Sequence, residues 1–321
     1  MDVVTKFALT VALLVVSMVS GYGARKFRLV PESAAPILMA IVAVFGYGLV
    51  ALLSLWQTPL RVTHVWLPTL AMLHVVLMLG VGLAVARGLT RERAERGVFG
   101  IAGCLGNTGP TMGGFVIYLL YGEAGLGLVS MLGLMWTPVV VLVCYPVARH
   151  FGRTGEPVPL GRLILHSVFD WRAAGALAIV AGILLSRFGP PRPAFVSDYR
   201  IVDVLVFLIT AAAYFSIGLR LHLRHVPAFG RMILALGATR FAVGLGVGIL
   251  LASLTRLTPD PLHGMARDVF LIESCVPTAV TMVAIANMFH LAPRVGSLLF
   301  VSNTLMYLVL VLPWVLWVFG R

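Results

Sequence analysis

The chain is a succession of apolar stretches, each close to twenty residues, joined by short loops of Gly, Pro and Arg. They run over about 4–22, 36–56, 62–86, 97–121, 124–148, 171–188, 201–220, 230–254, 266–290 and 294–319. A helix needs about 20 apolar residues to cross a hydrocarbon core about 30 Å thick. Composition agrees: 60% of the 321 residues are hydrophobic and 11% charged, where a soluble domain carries about 25% charged residues. The expectation is an all-α integral membrane protein with ten transmembrane helices. Phe7 to Val19, after Lys6, has the make-up of a signal-peptide core and is read as an uncleaved first helix.

The net charge of +12 would suit nucleic acid, but the arginines sit in the short loops, as the positive-inside rule requires. No nucleic-acid partner is expected. Fifteen Lys and Arg fall in odd-numbered loops, eight fall at the termini and in even-numbered loops, and Arg240 lies within a helix. Odd loops are therefore cytoplasmic and both termini extracytoplasmic. Cys104, Cys144 and Cys275 all lie in apolar segments and form neither a disulfide framework nor a metal spacing.

The halves read as copies. LGVGLAVARGLTR (79–91) returns as LGVGILLASLTR (245–256), Pro110-Thr111 as Pro277-Thr278, and each half closes on Phe-Gly-Arg. Pro110 to Pro146 and Pro277 to Pro313 share one spacing. Residues 1–153 form the first five-helix repeat, 154–170 a cytoplasmic linker, and 171–321 the second repeat. Five is odd, so the second copy inserts upside down, and an inverted repeat places its ligand site at the repeat interface near midplane.

Two stretches carry the chemistry. Residues 269–293, VFLIESCVPTAVTMVAIANMFHLAP, place Glu273, Ser274, Pro277, Thr278, Thr281 and Asn287 in the ninth helix. A mid-membrane carboxylate costs roughly 2.5–3.5 kcal/mol on insertion scales, and Pro277 removes a backbone donor and strains the preceding turn. Its counterpart in the fourth helix, GCLGNTGPTMGGF (103–115), collects five glycines with Asn107, Thr108, Pro110 and Thr111. Gly costs about 1 kcal/mol in a helix and Pro about 3, so both helices are expected to break and to cross at Pro110 and Pro277. Counted from Leu79 and Leu245, Asn107 and Glu273 fall at the same offset.

Broken helices within a membrane must line a cavity or be buried in protein. Their half-helix N-termini attract anions, and their loosened carbonyls suit Na+ or a proton-bearing water. Asn107, Thr108, Pro110, Thr111, Arg240, Pro277, Thr278 and Thr281 are the expected substrate contacts, and Glu273 with Asn107 the ion- or proton-coupling pair. The plainer readings stand beside these. Glu273 would pair with Arg267 near the surface, Arg240 would tie helices through carbonyls, and the Asn and Thr side chains would be interhelical glue. His74, Asn287 and Asn303 are read as packing residues, and the Trp near helix ends as interfacial anchors.

IESCVPTAVTMVAIANMFHLAP resembles the ninth helix of the auxin efflux carrier family, with an acidic residue, a Pro four later and a run of small residues. GNTGPTMGGFVIYLLYGEAGL, with Asn107-Thr108 and Tyr121-Gly122-Glu123, is similar to its fourth helix. Thr239-Arg240-Phe241 with Gly244 resembles its eighth, and residues 215–219 (FSIGL) its seventh. The family's usual Gly-x-Pro after the Asn is replaced here by Met112-Gly113-Gly114. The resemblance implies ten helices in inverted repeat, external termini and a cell-membrane carrier of a small organic anion. Auxin-like indole acids and dicarboxylates or other metabolites are the implied substrates. The energy source is left open between Na+ or H+ coupling through Glu273 and facilitated export following the membrane potential, and no cofactor is expected. The bile-acid/sodium symporter group shares this architecture and is the nearest alternative; a membrane sensor or enzyme is the other. No GxSxG, HExxH or paired-aspartate metal motif is present, so an enzyme is not expected. Besides the lipid bilayer and the substrate, a homodimer partner is left open.

Overall fold

A computed structural model describes residues 3–109, 111–152, 174–221 and 229–320. Pro110, the 154–170 linker and the loop arginines Arg153, Arg162, Arg172 and Arg224 lie outside them. Among the described residues the chain is helical throughout, and its one extended contact is an isolated bridge between Gly106 and Thr278. The helices are α1 (Val3–Lys26), α2 (Ala34–Gln57), α3 (Val62–Leu89), α4 (Arg93–Cys104), α5 (Gly113–Phe151), α6 (Ala174–Phe188), α7 (Ile201–Leu219), α8 (Gly230–Leu257), α9 (Gly264–Ser274), α10 (Val280–Met288) and α11 (Pro293–Phe319). Of these, α2, α3, α5, α7, α8 and α11 are long and apolar enough to cross a membrane.

Local chemistry sets the punctuation. The 39 residues of α5 would measure about 60 Å if straight, twice a bilayer core. Gly122 breaks them, with φ 65° and ψ −151°, backbone angles that only glycine adopts readily. The chain doubles back there: a Cβ placed on Gly125 would lie 2.7 Å from the Ile117 side chain, eight residues away. Single π-helical turns interrupt α2 (Val42–Gly46), α5 (Val140–Cys144), α8 (Ala238–Val243) and α11 (Tyr307–Val311). Such turns frequently mark functional sites, and the one in α8 carries Arg240.

The helices pack as two neighbourhoods. α1 lies along α7 and α2 along α6, while α3, α4, α8, α9, α10 and α11 pack among themselves. The first stretch of α5 stands between the groups, against α2 on one side and α9 on the other. Side-chain to backbone bonds tie the first group: Arg25 Nη1 and Nη2 donate to the carbonyls of Leu219 and Leu221 at 3.0 and 2.7 Å.

Candidate functional site

The site begins with two helices that stop in mid-protein. α4 ends at Cys104 and helix resumes at Gly113; α9 ends at Ser274 and helix resumes at Val280. Both ends are buried, so the backbone groups released there need partners. The two loosened segments supply each other: Asn107 N donates to Pro277 O at 2.6 Å, and Ala279 N to Leu105 O at 2.9 Å. These bonds flank the Gly106–Thr278 bridge and form two rungs of antiparallel ladder between helices of opposite halves.

The sequence expected the crossing at Pro110 and Pro277. Pro277 is there, and its carbonyl is one of the rungs. On the first-half side the crossing residues are Leu105–Asn107, upstream of Pro110, which lies outside the described residues. The shared offset of Asn107 and Glu273 also needs correction. Glu273 is in the last turn of α9, before the break, whereas Asn107 is inside the crossover. Aligning the ends of α4 and α9, Cys104 with Ser274, sets Gly103 opposite Glu273. The offset shifts because Cys104 lies 25 residues after Leu79 and Ser274 29 after Leu245, the loop before the broken helix being three residues long (90–92) in the first half and six (258–263) in the second.

Glu273 is 4% exposed, far from the surface pairing with Arg267 that was its plainer reading. Neither carboxyl oxygen has a hydrogen-bond partner. The carboxyl rests instead on the α-carbon of Gly113, where an added Cβ would fall 2.3 and 2.5 Å from Oε2 and Oε1. Gly113 is the first residue of α5, so the carboxyl sits at the positive end of a half-helix, where negative charge is favoured. Glycine at 113 is what admits the carboxyl.

Arg240, 1% exposed, is spent on backbone. Its Nε and Nη2 both donate to Val276 O at 3.0 and 2.7 Å, and its Nη1 to Gly103 O and Cys104 O at 3.3 and 3.4 Å. The guanidinium ties the C-terminal ends of α4 and α9 together. This is the plainer reading of Arg240, a tie between helices through carbonyls; the fork of donors is engaged there and not by Glu273. Gly106 makes room for it: a Cβ there would lie 2.5 Å from Nη2.

The other expected residues divide. Thr108 lines a small cavity with Glu273, Arg240, His74, Gly106 and Ser274. Asn107 is buried, and its Oδ1 accepts from Thr111 Oγ1 at 2.8 Å. These two side chains therefore brace the crossover instead of lining the cavity. Thr278 is fully buried, with Oγ1 unpartnered. Thr281, half-buried in the first turn of α10, is not part of the cavity wall. His74 fits its packing role, stacked edge-on to Phe270 with Nε2 3.0 Å from Gly244 O, yet it also faces the cavity.

Asn303 was taken for packing, but its Oδ1 accepts from Thr278 N at 2.8 Å and so holds the second break from α11. Its Nδ2, with Thr304 Oγ1 and Tyr307 OH nearby in sequence, is buried without a partner. A polar face at 303, 304 and 307 on one helix was the available signal. Gly113 as the seat of the carboxyl had only its place in the glycine run to mark it.

The cavity measures about 20 Å³, little more than the ~10–15 Å³ that admits one water and far below the roughly 300–1,000 Å³ of a small-molecule site. This conformation is closed around the two charged groups. Among the described residues no group of His, Cys, Asp and Glu has the arrangement of a metal site.

A comparison with curated proteins gives no match. Residues 7–158, just under half of the chain and covering α1 from its fifth residue through the whole of α5, match a family model described as Membrane transport protein. The crossed helices and the matched stretch agree: among the described residues six helices are long and apolar enough to cross a membrane, and the first half of the chain is similar to a membrane transport family.

Proposed function

We propose that the chain is a carrier of a small organic anion, a carboxylate such as an indole acid or a dicarboxylate, working by alternating access at the crossover. The observation that carries this reading is the pair of interrupted helices hydrogen-bonded to each other beside a buried carboxyl and a buried guanidinium. Fixed positive charge from Arg240 and from the N-terminus of α5 favours an anionic ligand. Closure to about 20 Å³ fits a resting state that must open to one side before a ligand enters.

The architecture proposed for it is a ten-helix inverted repeat in the cell membrane with both termini outside. Three features support it. The break in α4–α5 has its counterpart in α9–α10. The π-turns at Val140–Cys144 and Tyr307–Val311 lie 167 residues apart, as do Pro146 and Pro313 just after them. Loop bonds also sort by parity of the ten-pass numbering. Trp56 Nε1 reaches Pro190 O, Trp66 Nε1 reaches Asp260 O, and Arg192 pairs with Glu123, all between even-numbered loops. Arg25 with Leu219 and Leu221, and Arg93 with His150 O, join odd-numbered ones.

Counterflow in proteoliposomes tests the function. Vesicles loaded with unlabelled mono- or dicarboxylate should accumulate the labelled anion transiently, without chemical change. Binding without exchange would make the protein a sensor, and a changed product would make it an enzyme; either contradicts the proposal.

A further inference from the structure

Unwound carbonyls in a membrane are the usual seats of coupling cations, so what occupies them here decides which ion the site can take. Many of the carbonyls freed near the crossing have a donor within the protein. Leu105 O and Pro277 O make the rungs, Asn107 O accepts from Gly113 N, and Gly109 O from Met112 N and Gly114 N. Three more, Gly103 O, Cys104 O and Val276 O, converge from the ends of both broken helices on Arg240. The guanidinium thus sits where two C-terminal helix ends point their partial negative charge, the position a free cation would take.

We infer that Arg240 is a tethered replacement for a coupling cation: its guanidinium occupies the carbonyl cluster of the crossover, so the protein neither needs nor binds Na+ there. The inference rests on reading the crossover as the transport site. Its physical basis is twofold. A fixed positive charge repels a second one at hydrogen-bond range in a buried setting where screening is weak. The planar fork also satisfies several carbonyls at once, as a bare ion would by coordination. Gly106 belongs to the same device, since any side chain there would meet Nη2. The π-turn that carries Arg240 supplies the backbone from which it reaches both helix ends.

The test is thermal unfolding of the purified full-length chain in detergent, in Na+, K+ or choline chloride at equal ionic strength. A cation bound only by the folded state raises apparent stability. Wild type should unfold at one temperature in all three salts; a rise specific to Na+ overturns the inference. Arg240→Gly should be less stable in choline and regain several degrees when Na+ or methylguanidinium is added at millimolar concentration. A variant that folds and ignores both cations overturns it as well. Should Arg240→Gly fail to fold, Arg240→Lys keeps a tethered cation and should remain indifferent to Na+, whereas a Na+-specific rise in it counts against the inference. Counterflow reads the transport proposal separately, so wild-type exchange that depended on Na+ would remove this inference and leave the carrier standing.

Discussion

The two breaks that meet at the centre do the same geometric job with different materials. The first, 105–112, is eight residues long and depends on glycine: Gly106 admits the Arg240 guanidinium, and Gly109 turns the chain at φ 99°. The second, 275–279, is five residues long with no glycine, and is held from outside by Asn303 on α11. The charged side chains, Glu273 and Arg240, both come from the second half, and the first half provides the room they occupy. The two breaks are therefore alike in path and unlike in chemistry. One copy contributes charge, the other space.

That contrast makes the first break the more fragile under added volume. The largest effect is expected at Gly114, where a Cβ would lie 2.6 Å from the carbonyl carbon of Gly109. Backbone cannot yield as a side chain can, so Gly114→Ala should sharply reduce the yield of monodisperse protein on size exclusion. Val280→Ala, at the start of α10, should cost on the order of 1 kcal/mol. Similar losses for the two would remove the distinction between the breaks.

Next comes the carboxyl. Glu273→Gln keeps the shape and removes the ability to ionise, so the protein should fold normally and lose at least about tenfold in counterflow, equivalent to ~1.4 kcal/mol. Gly113→Ala should push the carboxyl off the helix end, at a folding cost of about 1–3 kcal/mol for overpacking, with flux between those of wild type and Glu273→Gln. Full flux in Glu273→Gln would dissociate the carboxyl from transport.

Smaller effects sharpen the comparison of supports. Asn303→Ala leaves Thr278 N buried without its acceptor and should destabilise by about 1–3 kcal/mol. Asn107→Ala removes the acceptor of a half-buried Thr111 hydroxyl, worth about 0.5–1.5 kcal/mol, as read by denaturant or thermal shift. Thr281→Ala, outside the cavity wall, should change stability by no more than about 0.5 kcal/mol and leave flux alone.

Much of this was legible in the sequence because it is written in local costs. Glycine, proline and a carboxylate inside an apolar run are each unfavourable in a plain spanning helix, so their clustering at 103–115 and 269–293 marked both interruptions. For Arg240 the sequence left two partners open, an anionic group and the carbonyls of neighbouring helices. A guanidinium is drawn both to a carboxylate and to helix-end carbonyls, and only the position of those ends decides between them. The register of Asn107 and Glu273 failed for a related reason. Offsets counted from α3 and α8 ignore the longer loop that precedes α9, 258–263 against 90–92 before α4. Asn303 looked like packing because the N–H that it binds exists only once a different helix has been broken.

The central claim is that the closed hollow at the crossing opens to each side of the membrane in turn. Thr108, on its wall, is the place to measure this. In a chain carrying Cys104→Ala, Cys144→Ala and Cys275→Ala, Thr108→Cys should react with a membrane-impermeant thiol reagent applied to either face of proteoliposomes, and a transported carboxylate should slow both reactions. A cysteine at 108 that never reacts from either face, in protein that still exchanges the anion, would place the pathway elsewhere.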